Sequence, residues 1–248
     1  MSFDFAYILQ TLPLLLTGLK MTLWISVISM ILSLLIGISG AVIRTLKIPI
    51  VSQLVTAYVE VIRNTPLLVH VFFLYFGLPT IGIKLSAVTV GILSLSLWGE
   101  AFAVENFRSG TDNVPKALIE SGQSLGLSRS QIVRHIIVPL GFRISFPAFS
   151  NTAVSVLKNS AYMTGIGVAE LTFMAVDRIA YDFKTYEMLF TIAAIYLILI
   201  WGTSFLFSRI ERKLDFNKKN KDKVVKNSGN YSSKLPLTVG RVDEDTPA

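Results

Sequence analysis

Two stretches without a charged side chain limit what this chain can fold into more than any other feature. Met21–Ile43 and Met188–Ser208 contain no Asp, Glu, Lys or Arg. A helix needs roughly 20 apolar residues to cross a hydrocarbon core about 30 Å thick, and each stretch is long enough. A soluble fold can bury one such helix; several in 248 residues leave too little polar surface for water. The balance of the chain agrees, with 16% charged and 52% hydrophobic residues, where a soluble domain carries about a quarter charged.

Five hydrophobic regions can be traced. They are about 13–43, ending at Arg44 and Lys47; 50–79, interrupted by Glu60, Arg63 and Pro66; 85–104, stopping at Glu105 and Arg108; 143–167, with Pro147 near its start and Lys158 inside it; and 187–208. The expected fold class is all-α, a polytopic membrane bundle of about five transmembrane helices. Asp4 and the length of the first apolar run argue against a cleaved leader, so the first region is read as a retained span. Three parts follow: an extracytoplasmic segment 1–12, a membrane domain 13–210, and a basic tail 211–248 whose charge and small polar residues predict disorder.

Placing the 44–49 loop, the 108–143 loop and the tail on one side collects Arg44, Lys47, Arg108, Lys116, Arg129, Arg134, Arg143 and the tail cluster. The other side keeps little beyond Lys20, Lys84, Arg178 and Lys184. Basic loops stay in the cytoplasm, so the N-terminus is expected outside and the C-terminus inside. The net charge of +7 does not point to nucleic acid, because ten of the 23 basic residues follow Ser208, where the last span ends. Contact of the tail lysines with anionic lipid is the alternative to a merely solvated tail. The chain has no cysteine, and neither of its two histidines lies near another metal-type ligand, so no metal site is expected.

The loop 109–140 differs in kind, being rich in Gly, Ser and Arg and too polar to span. Pro115 suits the first turn of a short helix over 114–126, and Leu118, Ile119, Gly122 and Leu125 share one face. Gly126 fits the left-handed residue that ends it. Ser128 and Gln131 have capping-box spacing for a second helix, with Ile132, Val133, Ile136 and Ile137 as its apolar face and Pro139 closing it. By periodicity alone such a pair either lies on the bilayer or presents its polar face to a soluble partner.

The spacing Glu120-Ser121-Gly122, Gly126 and Ile136-x-Val138-Pro139 resembles the EAA loop of bacterial ABC-importer permeases, with Ser and Gly in place of two alanines and Val in place of Leu. Segments 58–79 (YVEVIRNTPLLVHVFFLYFGLP), 101–110 (AFAVENFRSG) and 151–171 (NTAVSVLKNSAYMTGIGVAEL) are similar to the polar amino acid subfamily of those permeases, with His70, Phe102 and Asn159 departing from its usual Gln, Tyr and Asp. The likeness runs over roughly residues 10–210. It implies the type I ABC importer permease fold and a coupling-helix pair that docks on a cytoplasmic ATPase dimer. A second permease, a copy or a homologue, and an extracytoplasmic solute-binding protein are implied partners, with a polar amino acid or a close relative as cargo. The location implied is the bacterial inner membrane.

On that resemblance Glu120, Ser121, Gly122, Gly126 and Pro139 are the coupling candidates, and Lys158, Asn159 and Ser160 the candidate pathway residues. A helix break near Lys158, before Gly165 and Gly167, is expected to open backbone groups to a cavity. Lys158 is read either as a partner for a carboxylate or as the neutraliser of Glu170. Glu60 with Arg63, and Glu105 with Arg108, stand three apart and are read as structural pairs or gate charges. Glu100 is expected at the membrane interface. There is no G-x-x-x-x-G-K-[ST] loop, so this chain is expected to bind no cofactor and catalyse no hydrolysis, ATP and Mg being used by the ATPase. Two other classes remain on the residues alone: an ion-driven secondary transporter, and a membrane anchor without transport activity.

Overall fold

The computed structural model of the protein describes residues 3–214. The basic tail from 215 onward, with its expected disorder, lies outside the described residues.

Helix α1, Phe5–Leu46, is about 63 Å long at 1.5 Å per residue, twice the hydrocarbon thickness. It starts well before residue 13. Asp4 caps it, its carboxylate accepting from the Tyr7 amide at 3.0 Å. That bond and the Lys184 ammonium, 3.2 Å away, hold the Asp4 carboxyl below its ordinary range. Segment 3–12 is therefore tied to the chain's later half rather than hanging free.

The second hydrophobic region is a bent pair, α2 (Val51–Arg63) and α3 (Leu67–Phe72), the latter continuing through a π turn and a 3₁₀ turn to Ile81. The two halves meet at 102°. Pro66 causes the break, having no amide hydrogen and holding Thr65 out of the helical region. Helix α4, Ala87–Asp112, follows.

Helices α1 and α4 lie side by side and parallel. The Ser29 hydroxyl donates to the Ile92 carbonyl at 3.1 Å, Ser33 to Ser96 at 3.3 Å, and Arg44 reaches Glu105 at 2.8 Å. Two parallel spans require the chain between them to recross the membrane once, so the bent pair acts as one span. Small residues let the backbones approach, as membrane packing favours. A Cβ on Gly37 would sit 2.4 Å from that of Ala103, and one on Gly99 2.3 Å from the Ser33 hydroxyl.

Helix α5 (Lys116–Ser124) precedes a continuous rod, Arg129–Ile166. The rod comprises α6 (Arg129–Ile132), a π turn (Val133–Ile137), α7 (Val138–Asn159) and a 3₁₀ stretch (Ser160–Ile166). Pro139 thus does not close a helix. It occupies the first turn of α7, where the widened π turn has already displaced the regular hydrogen-bond register. Helix α7 is antiparallel to α4: Gly110 packs on Gly141 and Ser145, and Phe107 stacks on Phe142 and Phe149, both at 5.6 Å.

Helix α8, Leu171–Asp182, was not anticipated from hydropathy, because only Leu171 and Ala175 are buried. Helix α9, Thr185–Leu214, is the last span. It runs past residue 208 because a helix continues through charges once it has left the hydrocarbon.

Candidate coupling and pathway sites

The α5–α6 bend is built by local chemistry. Gly126 has φ of +75°, and the amides of Gly126 and Leu127 close back on the carbonyls of Gln123 (2.9 Å) and Gly122 (3.1 Å), a Schellman termination. Ser128 and Gln131 then form both bonds of a capping box. Gly122 is buried where α5 crosses the rod; a Cβ there would meet the Ile136 methyl at 2.8 Å. Gly126 is different, since a Cβ would touch nothing and only its backbone angle demands glycine. Gly126→Ala should therefore cost about 1 kcal/mol through the left-handed backbone alone, with Gly126→Asn recovering most of it. Thermal melting of the two variants checks this, and equal stability of Gly126→Ala and wild type would refute it.

Only part of the expected apolar face of α5 is turned inward. Ile119 is half-buried beside Gly122, but Leu118 and Leu125 are exposed, Leu125 by 80%. Glu120 and Ser121 are exposed as well. The knob thus offers a mixed apolar and charged outer surface, with Glu120 beside the exposed Lys116, Arg129 and Arg134, and Ile132 and Val133 anchor its inner one. Below it, the hydroxyls of Thr45 and Thr111 meet at 3.2 Å, joining the ends of α1 and α4.

Glu105 and Arg108 pair as expected, and the pair extends: Arg44 joins Glu105 at 2.8 Å, and Arg108 joins Asp112 at 2.5 Å. This chain of charges carries α4 past residue 104 without interruption. Glu60 and Arg63 do not pair. The Glu60 carboxylate accepts from Asn64 at 3.2 Å, while the Arg63 guanidinium lies over the Phe102 ring at 5.1 Å, its charge facing the π cloud.

Glu100 is not interfacial. It is buried, and its carboxylate accepts from the Tyr58 hydroxyl of α2. Gly99, beside it, is level with Ser33, which is well inside the charge-free run of α1.

The pathway triplet is split. Lys158 is exposed, Asn159 half-buried, and Ser160 fully buried with its hydroxyl on the Leu157 carbonyl at 2.7 Å. The helix does not unwind there; it tightens to 3₁₀ and breaks at Gly167, whose φ is +76°. A Cβ on Gly99 would touch both Ser33 and Val156, so these three residues share one level. Lys158 is half a turn from Val156 and hence at mid-membrane depth. Facing lipid, it would cost about 2.5–3.5 kcal/mol. Its face must meet water or another protein.

Lys158 does not neutralise Glu170, and no ion pair of either residue occurs among the described residues. Glu170 is fully buried and caps α8, accepting from the amides of Thr172 (2.9 Å) and Phe173 (2.8 Å). It also receives the hydroxyls of Thr164 (2.6 Å), Tyr196 (3.2 Å) and Thr22 (3.3 Å). One carboxylate thus joins α1, the 3₁₀ stretch, α8 and α9. The sequence held one signal for it: Glu170 is the lone charge between Lys158 and Asp177. Among the described residues no group of three His, Cys, Asp or Glu side chains is placed to hold a metal.

A helical bundle with four or five candidate membrane crossings and a bent helix pair at its basic end defines a multi-pass membrane protein. Residues 33–216 match the family of binding-protein-dependent transport system inner membrane components, and the chain belongs to that family. It is 35% identical over 216 residues to the glutamine transport system permease protein GlnP of Escherichia coli K12, covering 86% of this chain and 99% of the relative. Identity to the probable glutamine ABC transporter permease protein GlnP of Bacillus subtilis is 34% over 87% and 98% of the two chains. The fold superimposes on a chain of an amino acid ABC transporter crystallised with histidines, with a TM-score of 0.81, 32% identity, and coverage of 86% of this chain and all of the other. A chain of the inward-facing methionine transporter MetNI, at 20% identity and TM-score 0.69, shares the fold. The protein is an ABC importer permease, a transport component rather than a catalyst.

Proposed function

We propose that this chain forms the translocation pathway for a polar amino acid and receives ATP-derived motion through the α5–α6 knob. The observation that carries this is the knob itself: an exposed Glu120 and Leu125 on a helix pair fixed by Gly122 and Gly126 and packed through Gly122 on Ile132 and Ile136 of the rod that continues into α7. Such a rigid protrusion can move the spans as a lever. The cargo class is supported by the likeness to glutamine permeases and to an amino acid transporter structure. A separate ATPase pair, using ATP and Mg, would dock on Glu120, Ser121 and their neighbours. The basic loops support a cytoplasmic knob, a cytoplasmic C-terminus and an outer N-terminus. On the outer side a solute-binding protein would deliver the amino acid.

A second permease, this chain or a homologue, would close the pathway along the face that carries Lys158 and Asn159. Lys158 at mid-membrane supports that placement, since its charge disfavours lipid on that face. Ser160 would act only by shaping the helix, and Glu60 and Arg63 would contact the partner near the bend of α2.

The test is ATP-dependent uptake of labelled glutamine by the reconstituted complex. Glu120→Lys and Gly126→Pro should each lower it at least tenfold while the purified subunit stays folded. Normal uptake by both variants would remove the knob from the coupling role. Uptake in vesicles lacking any ATPase would favour an ion-driven carrier instead.

A further inference from the structure

We infer that the cleft between α1, α4 and α7 at the basic end of the bundle is a binding site for an acidic phospholipid. The cleft encloses about 310 Å³ and is walled by Ala41, Val42, Phe107, Pro139 and Phe142, with Arg143 at its rim. Apart from Thr111 and Arg143 its lining side chains are hydrocarbon, which suits an acyl chain and no polar solute. The Thr111 hydroxyl is already engaged by the Arg108 carbonyl at 2.8 Å, so it adds no demand for a ligand hydrogen bond.

Depth decides what covers the cleft. Ile38, Ala41 and Val42 occupy the last turns of the charge-free run of α1, with Arg44 just beyond. The cleft therefore stands where acyl chains meet headgroups. Pro139 and Arg143 are exposed, so it opens on the outside of this chain at that depth.

Charge decides which lipid. Arg44 is paired with Glu105, and Arg108 with Glu105 and Asp112. Arg143 has no carboxylate partner among the described residues. Basic pockets between spans at this leaflet bind acidic headgroups. An acyl chain between Val42 and Phe142, with its phosphate at Arg143, satisfies both halves of the site. A lipid here touches α1, the end of α4 through Thr111 and the start of α7 through Pro139, and so bridges both ends of the segment that carries the α5–α6 knob. The lipid site itself does not depend on the coupling role proposed above.

Native mass spectrometry of the full-length chain with equimolar phosphatidylglycerol and phosphatidylethanolamine tests the site. Wild type should retain phosphatidylglycerol about fivefold more, the worth of one basic residue near an acidic headgroup. Arg143→Gln should bring that ratio close to one, and Arg143→Lys should keep it. Val42→Phe, which fills the cleft, should reduce retention of both lipids without changing elution or melting. Equal retention of the two lipids by wild type, or an unchanged ratio in Arg143→Gln, overturns the proposal. So does displacement by inorganic phosphate, which would indicate an anion site without an acyl chain.

Discussion

Glu170→Ala should lower the melting temperature of the purified protein by about 10 °C, the largest single-residue loss expected outside the packing glycines. Its carboxylate is fully buried and accepts from Thr172, Phe173, Thr164, Tyr196 and Thr22. Removing it leaves several buried donors without an acceptor, at about 1–3 kcal/mol each before relaxation. Some will re-pair, as the Tyr196 and Thr172 hydroxyls already do at 2.9 Å, so a net loss of about 3–5 kcal/mol is expected. A domain of this size loses about 2–4 °C per kcal/mol. Glu170→Gln should fall between, since the amide oxygen still accepts but its NH₂ faces donors. Glu120→Ala, on an exposed side chain, should melt with wild type. A melting temperature for Glu170→Ala within about 2 °C of wild type would show that the network is not what holds α8 to α1.

Gly37→Leu should separate α1 from α4. A Cβ at Gly37 lies 2.4 Å from the Ala103 Cβ and 3.2 Å from the Ala103 backbone carbon, so no rotamer relieves the clash. Between spans there is no hydrophobic force to recover the contact elsewhere, because lipid tails are as apolar as the partner helix. The Ser29, Ser33 and Arg44 contacts across the same interface would lengthen together. Overpacking alone costs about 1–3 kcal/mol, and the lost interhelical bonds add to it. We expect little monodisperse protein in size-exclusion chromatography. Gly202→Leu is the control: a Cβ at Gly202 meets nothing within 4 Å, so that variant should elute as wild type does. Matching profiles for the two variants would contradict the packing described here.

Charge-free runs, basic loops, Gly126 and the Ser128–Gln131 spacing were legible in the sequence because each is a local property. A residue needs only its own neighbours to set hydropathy, a left-handed turn or a cap. They established the membrane class, about five candidate crossings and the bend of the knob. Helix ends were less legible. Pro139 read as a stop and stands inside a rod, because a π turn absorbs it. The α4 helix ran past Glu105 because Arg44 came from another span to meet it.

The single ionisable residues were decided elsewhere. Glu100 read as interfacial and is buried against Tyr58; Glu170 read as a possible partner of Lys158 and instead caps α8; Lys158 is left exposed at mid-depth. Whether a charge is buried, paired or open depends on which helix stands opposite it, and that follows from the parallel register of α1 and α4 and the antiparallel one of α7. The sequence by itself determined that the chain crosses the membrane and where it bends on the basic side. Only the tertiary structure decided which of its polar groups the hydrocarbon never meets, because burial belongs to pairs of helices and not to any one of them.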